Sequence, residues 1–136
     1  MQPLSTKELE IIDAVAVYEI CKNNTAYYKH MNEIPSLEGI EHTFLSLPAG
    51  VCIHQKSNYG LFLDDELVAF LEMVRGYPDE SCAMLGFFVV KLQHQRQGYG
   101  ARIVDEIVTK LKVEGYSELL LSCSSSDSAA RSFGAG

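Results

Sequence analysis

The segment Gln95–Gly100 has the residue types of an anion-binding loop, because it places glycines between an apolar run and an amphipathic one. Gly98 and Gly100 permit a sharp turn and a close approach of the backbone to a ligand. The first N–H groups of a following helix would lack intrahelical acceptors and would lie at the positive end of the helix dipole. The segment therefore predicts a phosphate site at the start of a helix.

Two common phosphate-binding loops do not fit this segment. A Walker A loop needs Gly-Lys-Ser or Gly-Lys-Thr, which the chain lacks. A dinucleotide fingerprint needs a third glycine three residues after Gly100, where Ile103 stands. Both loops are therefore disfavoured.

The first third of the chain predicts helices. Ser5 and Glu8 fit a capping box, which predicts a helix over Thr6–Lys22. A second, short helix is expected over Thr25–Met31, and a third from Pro35 through Leu45 that ends near Pro48. The apolar residues of the first helix recur at helical spacing, at Leu9, Ile12, Ala16 and Ile20.

The middle of the chain predicts strands. Tyr59–Leu63 and Glu66–Arg75 form a hairpin around the turn Asp64-Asp65. Breakers at Gly76–Asp79 separate it from a third strand, Ser81–Val90, whose apolar end indicates burial on both faces.

A helix, a strand and a last helix are predicted after the loop. They cover Gly98–Glu114, Ser117–Cys123 and Ser128–Phe133, with Gly115 ending the first helix and Asp127 capping the last. The order of elements predicts an α/β domain, in which an antiparallel meander leads into a βαβ unit. A length of 136 residues suits one domain, residues 1–136.

Composition and charge exclude several functions. The formal charge is −7, from 11 basic and 18 acidic residues, which argues against nucleic acid as the main partner. No apolar run could cross a membrane, and no secretory signal is visible, so we expect a cytoplasmic protein without a membrane partner. We expect no metal site and free thiols at the scattered cysteines Cys21, Cys52, Cys82 and Cys123.

The stretch from Val90 to Ala101 resembles the central motif of the GNAT family of N-acetyltransferases, Gln/Arg-x-x-Gly-x-Gly/Ala. Gln95, Gly98 and Gly100 match that motif. Asp127-x-x-Ala130-x-x-Phe133 is similar to the family's second cofactor motif, with Asp in place of Asn. The resemblance covers about residues 5–133. Three further features look like a bacterial branch of the family: Pro48-x-Gly50, the hairpin and Gly76-Tyr77-Pro78.

The resemblance implies acetyl-CoA as co-substrate. The strand end at Phe88, Val89 and Val90 would pair with the pantetheine arm, and Asp127 would meet that arm or the leaving thiol. The strands Ser81–Val90 and Ser117–Cys123 should separate to make a slot for it. The pyrophosphate would be held by the loop residues Gln95, Arg96, Gln97, Gly98, Tyr99, Gly100 and Ala101.

The family reaction is direct attack of an amine on the thioester in a ternary complex, and it needs a base and an oxyanion donor. The backbone N–H of Val89 or Val90 is the expected oxyanion donor. Glu72 is the candidate base, because it interrupts an apolar strand, although alternation alone would place it towards solvent. Tyr77 is a second candidate, for substrate contact, although it would also suit a structural place in a turn.

Two departures from the family pattern affect the prediction. Gly134 stands where many members have a Tyr that acts as general acid, and the chain ends before two expected C-terminal strands. We therefore expect a mixed, mostly antiparallel acyl-CoA N-acyltransferase fold that lacks those strands, with a possible homodimer through the open edge. Two functions stay open: an N-acetyltransferase acting on a small-molecule or protein amine, and a non-catalytic acyl-CoA-binding module.

Overall fold

One mixed sheet separates two layers of helices in the computed structural model. The structure describes residues 4–23, 35–95, 97–122 and 128–132, with the backbone alone for Ser122 and for 128–132. The helices are α1 (Ala14–Lys22), α2 (Leu37–Leu45) and α3 (Tyr99–Glu114). The strands are β1 (Ser5–Glu8), β2 (Lys56–Leu63), β3 (Glu66–Arg75), β4 (Cys82–Val90), β5 (Glu118–Ser122) and β6 (Ser128–Ser132).

The six strands lie in chain order from β1 to β6. The pair β4–β5 is parallel and joined through α3, whereas every other neighbouring pair is antiparallel. This confirms the predicted α/β class, with a mostly antiparallel sheet flanked by helices. The predicted hairpin is also confirmed, and its first strand begins at Lys56, three residues earlier than expected.

Helices α1 and α2 cover one face of the sheet. Val17, Ile20 and Ile40 are buried there against β3 and β4. The Phe44 ring of α2 stacks on Phe70 of β3, with 5.2 Å between the ring centroids. Ser36 caps α2, since its Oγ accepts a hydrogen bond from the Gly39 N–H at 3.0 Å.

Helix α3 covers the other face of the sheet. Ile103 and Leu111 are fully buried in one cluster with Leu71 and Met73 of β3. Gly115 ends the helix in the left-handed conformation, as the sequence predicts. No helix within the described ranges is both long and apolar enough to cross a membrane.

The prediction of a helix from Thr6 was wrong in its first part. Ser5–Glu8 forms β1, which pairs antiparallel with β2, and the α-helix begins only at Ala14. The capping motif instead lies further along, because the Glu10 N–H donates to Asp13 Oδ2 at 2.9 Å. The local capping signal loses to the ladder hydrogen bonds that β2 offers at its edge.

The prediction of a last helix over Ser128–Phe133 was also wrong. Ser128–Ser132 forms β6, which pairs antiparallel with β5, because a strand edge supplies more hydrogen bonds than one helical turn. This pairing occupies the edge of β5 on which the expected homodimer depended, and the homodimer stays a prediction. The predicted helix Thr25–Met31 and the predicted cap Asp127 lie outside the described residues.

The position of Ile103 beneath α3 makes its truncation a test of the core. Ile103→Ala is expected to lower the free energy of unfolding by about 2–5 kcal/mol, because it leaves a cavity between helix and sheet. Val113→Ala, on the same helix but 85% exposed, should change it by less than about 0.5 kcal/mol. Urea denaturation of both variants measures the difference, and equal effects would contradict this packing.

Candidate functional site

Among the described residues, the two parallel strands β4 and β5 pair over the first part of β4. They pair from Cys82 with Glu118 as far as Leu85 with Leu121. Strand β4 continues to Val90, and no further pair with β5 occurs within the described residues. The side of residues 86–90 that faces away from β3 has no pair with β5 among the described residues and is termed the opening, while the separation of the two strands that the sequence analysis expects stays a prediction.

Gly86 marks the start of this opening. The register between β3 and β4 shifts there, because Met73 pairs with Leu85 and Glu72 pairs with Phe87, which leaves Gly86 as a bulge. A Cβ atom at Gly86 would lie 2.5 Å from Glu72 Oε1. The glycine therefore lets the Glu72 carboxylate lie directly over the backbone of β4.

Glu72 forms an ion pair with a buried lysine. Its Oε2 lies 2.7 Å from Lys56 Nζ, and the side chains are 15% and 3% exposed, respectively. The solvent-facing position that strand alternation would give Glu72 is therefore not what the structure shows. Lys56 Nζ also donates to the carbonyls of Thr43 and of Ser46, the latter at 2.6 Å, at the end of α2.

Asn58 completes a polar cluster, which consists of Lys56, Asn58 and Glu72. Asn58 is the register partner of Glu72 on β2, so the two side chains lie on one face of the sheet. Its Nδ2 donates to the Phe44 carbonyl at 3.5 Å. Its buried Oδ1 has no hydrogen-bond partner among the described residues.

The backbone of β4 presents donors to the opening. The Lys91 N–H donates to the Val68 carbonyl at 2.7 Å and so points towards β3. Because N–H directions alternate along a strand, the N–H of Val89 also points towards β3, and those of Phe88 and Val90 point towards the opening. The Val90 carbonyl accepts a hydrogen bond from Gln95 Nε2 at 2.8 Å, which fixes the start of the loop to the strand.

The loop delivers backbone N–H groups to the start of α3. Gly98 is the N-cap in the left-handed conformation, with φ of 86°, and no side chain of the described residues caps this end. The Tyr99 side chain is buried in the core, with its ring edge-on to His94, so only its backbone can face a ligand. A Cβ at Gly100 would contact nothing within 4 Å. Ala101, in the same first turn, is exposed.

A charged group lies beside the loop. Glu66 Oε2 accepts a hydrogen bond from Lys91 Nζ at 2.7 Å and lies 3.4 Å from His94 Nε2. The hydrogen bonds from Lys91 and His94 hold the pKa of the Glu66 carboxyl below its usual value. Glu66 therefore stays ionised and restrains the two side chains next to the predicted phosphate site.

The remaining predicted residues lie elsewhere. Tyr77 is half-buried in the turn between β3 and β4, at the opposite end of β3 from the loop, and its N–H donates to the Cys82 carbonyl at 3.2 Å. Gln97 is exposed, and its Nε2 donates to the Gln93 carbonyl at 3.0 Å. Arg96 and Asp127 lie outside the described residues.

Three residues of the site were missed by the sequence analysis. Lys56 and Asn58 precede the predicted hairpin strand, and Gly86 lies inside an apolar one. A glycine in a strand interior is a known signal of a bulge or a close approach. Polar residues two apart, Lys56 and Asn58, also share one face of a strand, which would have placed them together had β2 been predicted to begin earlier.

Comparisons with known proteins bear on the family and the fold of this chain. The model of the acetyltransferase (GNAT) family matches residues 17–134. A search of curated protein sequences gives no match.

Three solved structures are similar to this chain. An acetyltransferase from Thermus thermophilus is 21% identical, with a TM-score of 0.76 over 89% of this chain and 75% of that one. The PaiA N-acetyltransferase from Thermoplasma acidophilum, in complex with coenzyme A, is 17% identical, with a TM-score of 0.63 over 88% and 79%. AAC(6′)-Ib, in complex with ribostamycin and coenzyme A, is 12% identical, with a TM-score of 0.68 over 88% and 73%. At these identities the likeness shows a shared fold.

The contact between Gly86 and Glu72 can be tested by a double-mutant cycle. Gly86→Ala is expected to cost about 1–3 kcal/mol of unfolding free energy, because the new methyl group displaces the Glu72 carboxylate. In a Glu72→Ala background the same change should cost at least about 0.5 kcal/mol less. Gly100→Ala, which meets no atom within 4 Å, is the control for replacing a glycine. Additive effects in urea denaturation would show that the two residues do not touch.

Proposed function

We propose, since this chain belongs to the acetyltransferase (GNAT) family, that it transfers an acetyl group from acetyl-CoA to an amine in a ternary complex. The observation that carries the proposal is the position of Glu72. Its carboxylate lies over Gly86, which follows Leu85, the last residue of β4 that pairs with β5 among the described residues. Glu72, a candidate proton acceptor on β3, would thus lie at the start of the opening, next to β4, the strand that leads to the loop.

The cofactor would lie along the open edge of β4. The N–H of Val90 would donate to the pantetheine arm, which adds to the strand as an extended peptide does. The N–H groups of Gly98, Tyr99, Gly100 and Ala101 would hold the pyrophosphate at the start of α3. The open space at Gly100 supports this arrangement, because a phosphate oxygen must come close to the backbone.

The reaction would proceed by direct attack. The amine nitrogen forms a bond to the thioester carbon, and the carbonyl oxygen becomes an oxyanion. We assign the oxyanion donor to the N–H of Phe88 in place of the Val89 or Val90 N–H that the sequence analysis expects, because it faces the opening and Phe88 follows Phe87, the register partner of Glu72. Glu72 accepts the proton from the nitrogen, the C–S bond breaks, and the CoA thiolate takes up a proton.

Tyr77 would contact the acceptor. Glu72 lies three residues before Arg75, the end of β3, and Tyr77 lies in the turn that follows. An acceptor that approaches from the β3–β4 turn would therefore pass Tyr77 before its amine reached Glu72. Tyr77 would therefore help to bind the acceptor without taking part in the chemical step, and replacement of Tyr77 should change KM for the acceptor more than kcat.

A second function, a non-catalytic acyl-CoA-binding module, is favoured by one observation. Glu72 and Lys56 form a largely buried ion pair, so the Glu72 carboxylate is already engaged within the protein. Release of free thiol from acetyl-CoA over a panel of amines separates the two functions. Amine-dependent release supports the enzyme, and tight binding without release supports the module.

The role of the loop is tested by two matched glycines at the two ends of α3. Gly98 and Gly115 both have a left-handed backbone, so an alanine strains each of them similarly. Gly98→Ala is expected to weaken acetyl-CoA binding at least tenfold (~1.4 kcal/mol), whereas Gly115→Ala should keep the affinity within about twofold. Isothermal titration calorimetry gives both values. Unchanged affinity in Gly98→Ala would place the cofactor elsewhere.

The role of Glu72 is tested by an isosteric change. Glu72→Gln is expected to lower kcat by about 10²–10⁴-fold, because the amide cannot accept the proton, with acetyl-CoA affinity kept within about twofold. Glu19→Gln is the control, since Glu19 is also paired with a lysine, Lys22, but on an exposed surface of α1. A kcat for Glu72→Gln equal to that of the control would remove Glu72 from the reaction.

A further inference from the structure

The ammonium of Lys56 has a complete set of partners. Its three N–H bonds point to three oxygen atoms, Glu72 Oε2 and the carbonyls of Thr43 and Ser46. The side chain is almost fully buried. Lys56 therefore has no donor left for a substrate, and it acts on the site only through Glu72.

Each element around Glu72 contributes a different kind of group. Strand β2 contributes Lys56 and the amide of Asn58, and β4 contributes Gly86 and Phe87, which carry no charge. Helix α2 reaches the pair through the two carbonyls that Lys56 holds. Among the described residues, the charge facing Glu72 is thus the single positive charge of Lys56, and the pair is neutral as a unit.

The neutral Lys56–Glu72 pair should interact less favourably with a protonated acceptor amine than with an uncharged one. An arriving ammonium would have to share one carboxylate with the buried Lys56, which places two positive charges together. An uncharged amine brings no second positive charge to the pair when it binds.

We propose that Lys56 restricts the acceptor to amines that arrive uncharged, so that the protein acetylates α-amino groups in preference to lysine ε-amines. The α-amine has a pKa of about 8 and the ε-amine one of about 10.4, so at pH 7 the uncharged fraction of the α-amine is roughly 200-fold larger.

The inference depends on the proposed acetyl transfer. It places the proton transfer to Glu72 after the N–C bond has formed, when the nitrogen has become cationic and far more acidic. Glu72 then releases that proton, which balances the proton taken up by the thiolate.

One substrate that carries both amines tests the preference. The dipeptide amide Ala-Lys-NH₂ is incubated with acetyl-CoA and the wild-type protein at pH 7, and the products are separated by mass spectrometry. We expect at least a tenfold excess of Nα-acetyl over Nε-acetyl product. The value of kcat/KM should rise tenfold per pH unit up to the pKa of the α-amine. Equal amounts of the products, or a plateau well below that pKa, would overturn the inference.

Variants of Lys56 test its part in the preference. Lys56→Met leaves Glu72 free to hold an ammonium, so the excess of Nα product should fall at least tenfold. Lys56→Arg keeps the charge and should keep the excess within threefold. Lys22→Met, which removes the exposed partner of Glu19, is the matched control. An excess that Lys56→Met leaves unchanged would contradict the assignment to Lys56, and the wild-type experiment stands even if this variant does not fold.

The outcomes distinguish the two proposals. Acetyl-CoA binding without acetylation of either amine would overturn the proposed function, and this inference with it. Acetylation that favours the ε-amine, or that favours neither amine, would overturn this inference alone and leave the transferase intact.

Discussion

Strand β4 pairs with β3 along its length, whereas among the described residues its pairing with β5 covers Cys82–Leu85. This partial pairing is the constraint on which the rest of the site depends. Backbone groups that leave one ladder need another partner, so residues 86–90 present polar groups to whatever enters the opening. The Val90 carbonyl already uses the Gln95 amide. By strand alternation the N–H groups of Phe88 and Val90 point away from β3, towards the side where the proposed extended ligand would bind.

The bulge at Gly86 adds a charged side chain to this backbone edge. A residue with a Cβ would push the Glu72 carboxylate away, so the observed position of this carboxylate requires a glycine at residue 86. Burial of the carboxylate beside α2 requires a counter-charge, and Lys56 supplies it. The same lysine satisfies two carbonyls at the C-terminal end of α2, where a cation is favourable. The Lys56 ammonium therefore links the end of α2 to Glu72 of β3, beside the opening.

Much of the fold follows from local patterns. The hairpin, α2 and α3 with its final glycine all have strong short-range signals, and they form where the sequence predicts them. The two errors, at Ser5–Glu8 and Ser128–Ser132, concern short segments at strand edges. There the choice between helix and strand depends on a neighbour that is distant in sequence, and the capping residues Ser5 and Asp127 carry no information about it.

The amino-acid sequence by itself determined the α/β class, the loop at Gln95–Gly100 and the presence of a carboxylate inside an apolar strand. These depend on residue type, on periodicity and on turn chemistry, all of which are local. Only the tertiary structure decided that Glu72 lies over Gly86, that Lys56 is its partner and that Asn58 lies opposite. Cross-strand register and one bulge bring these residues together, and register is a property of two strands that neither strand specifies alone.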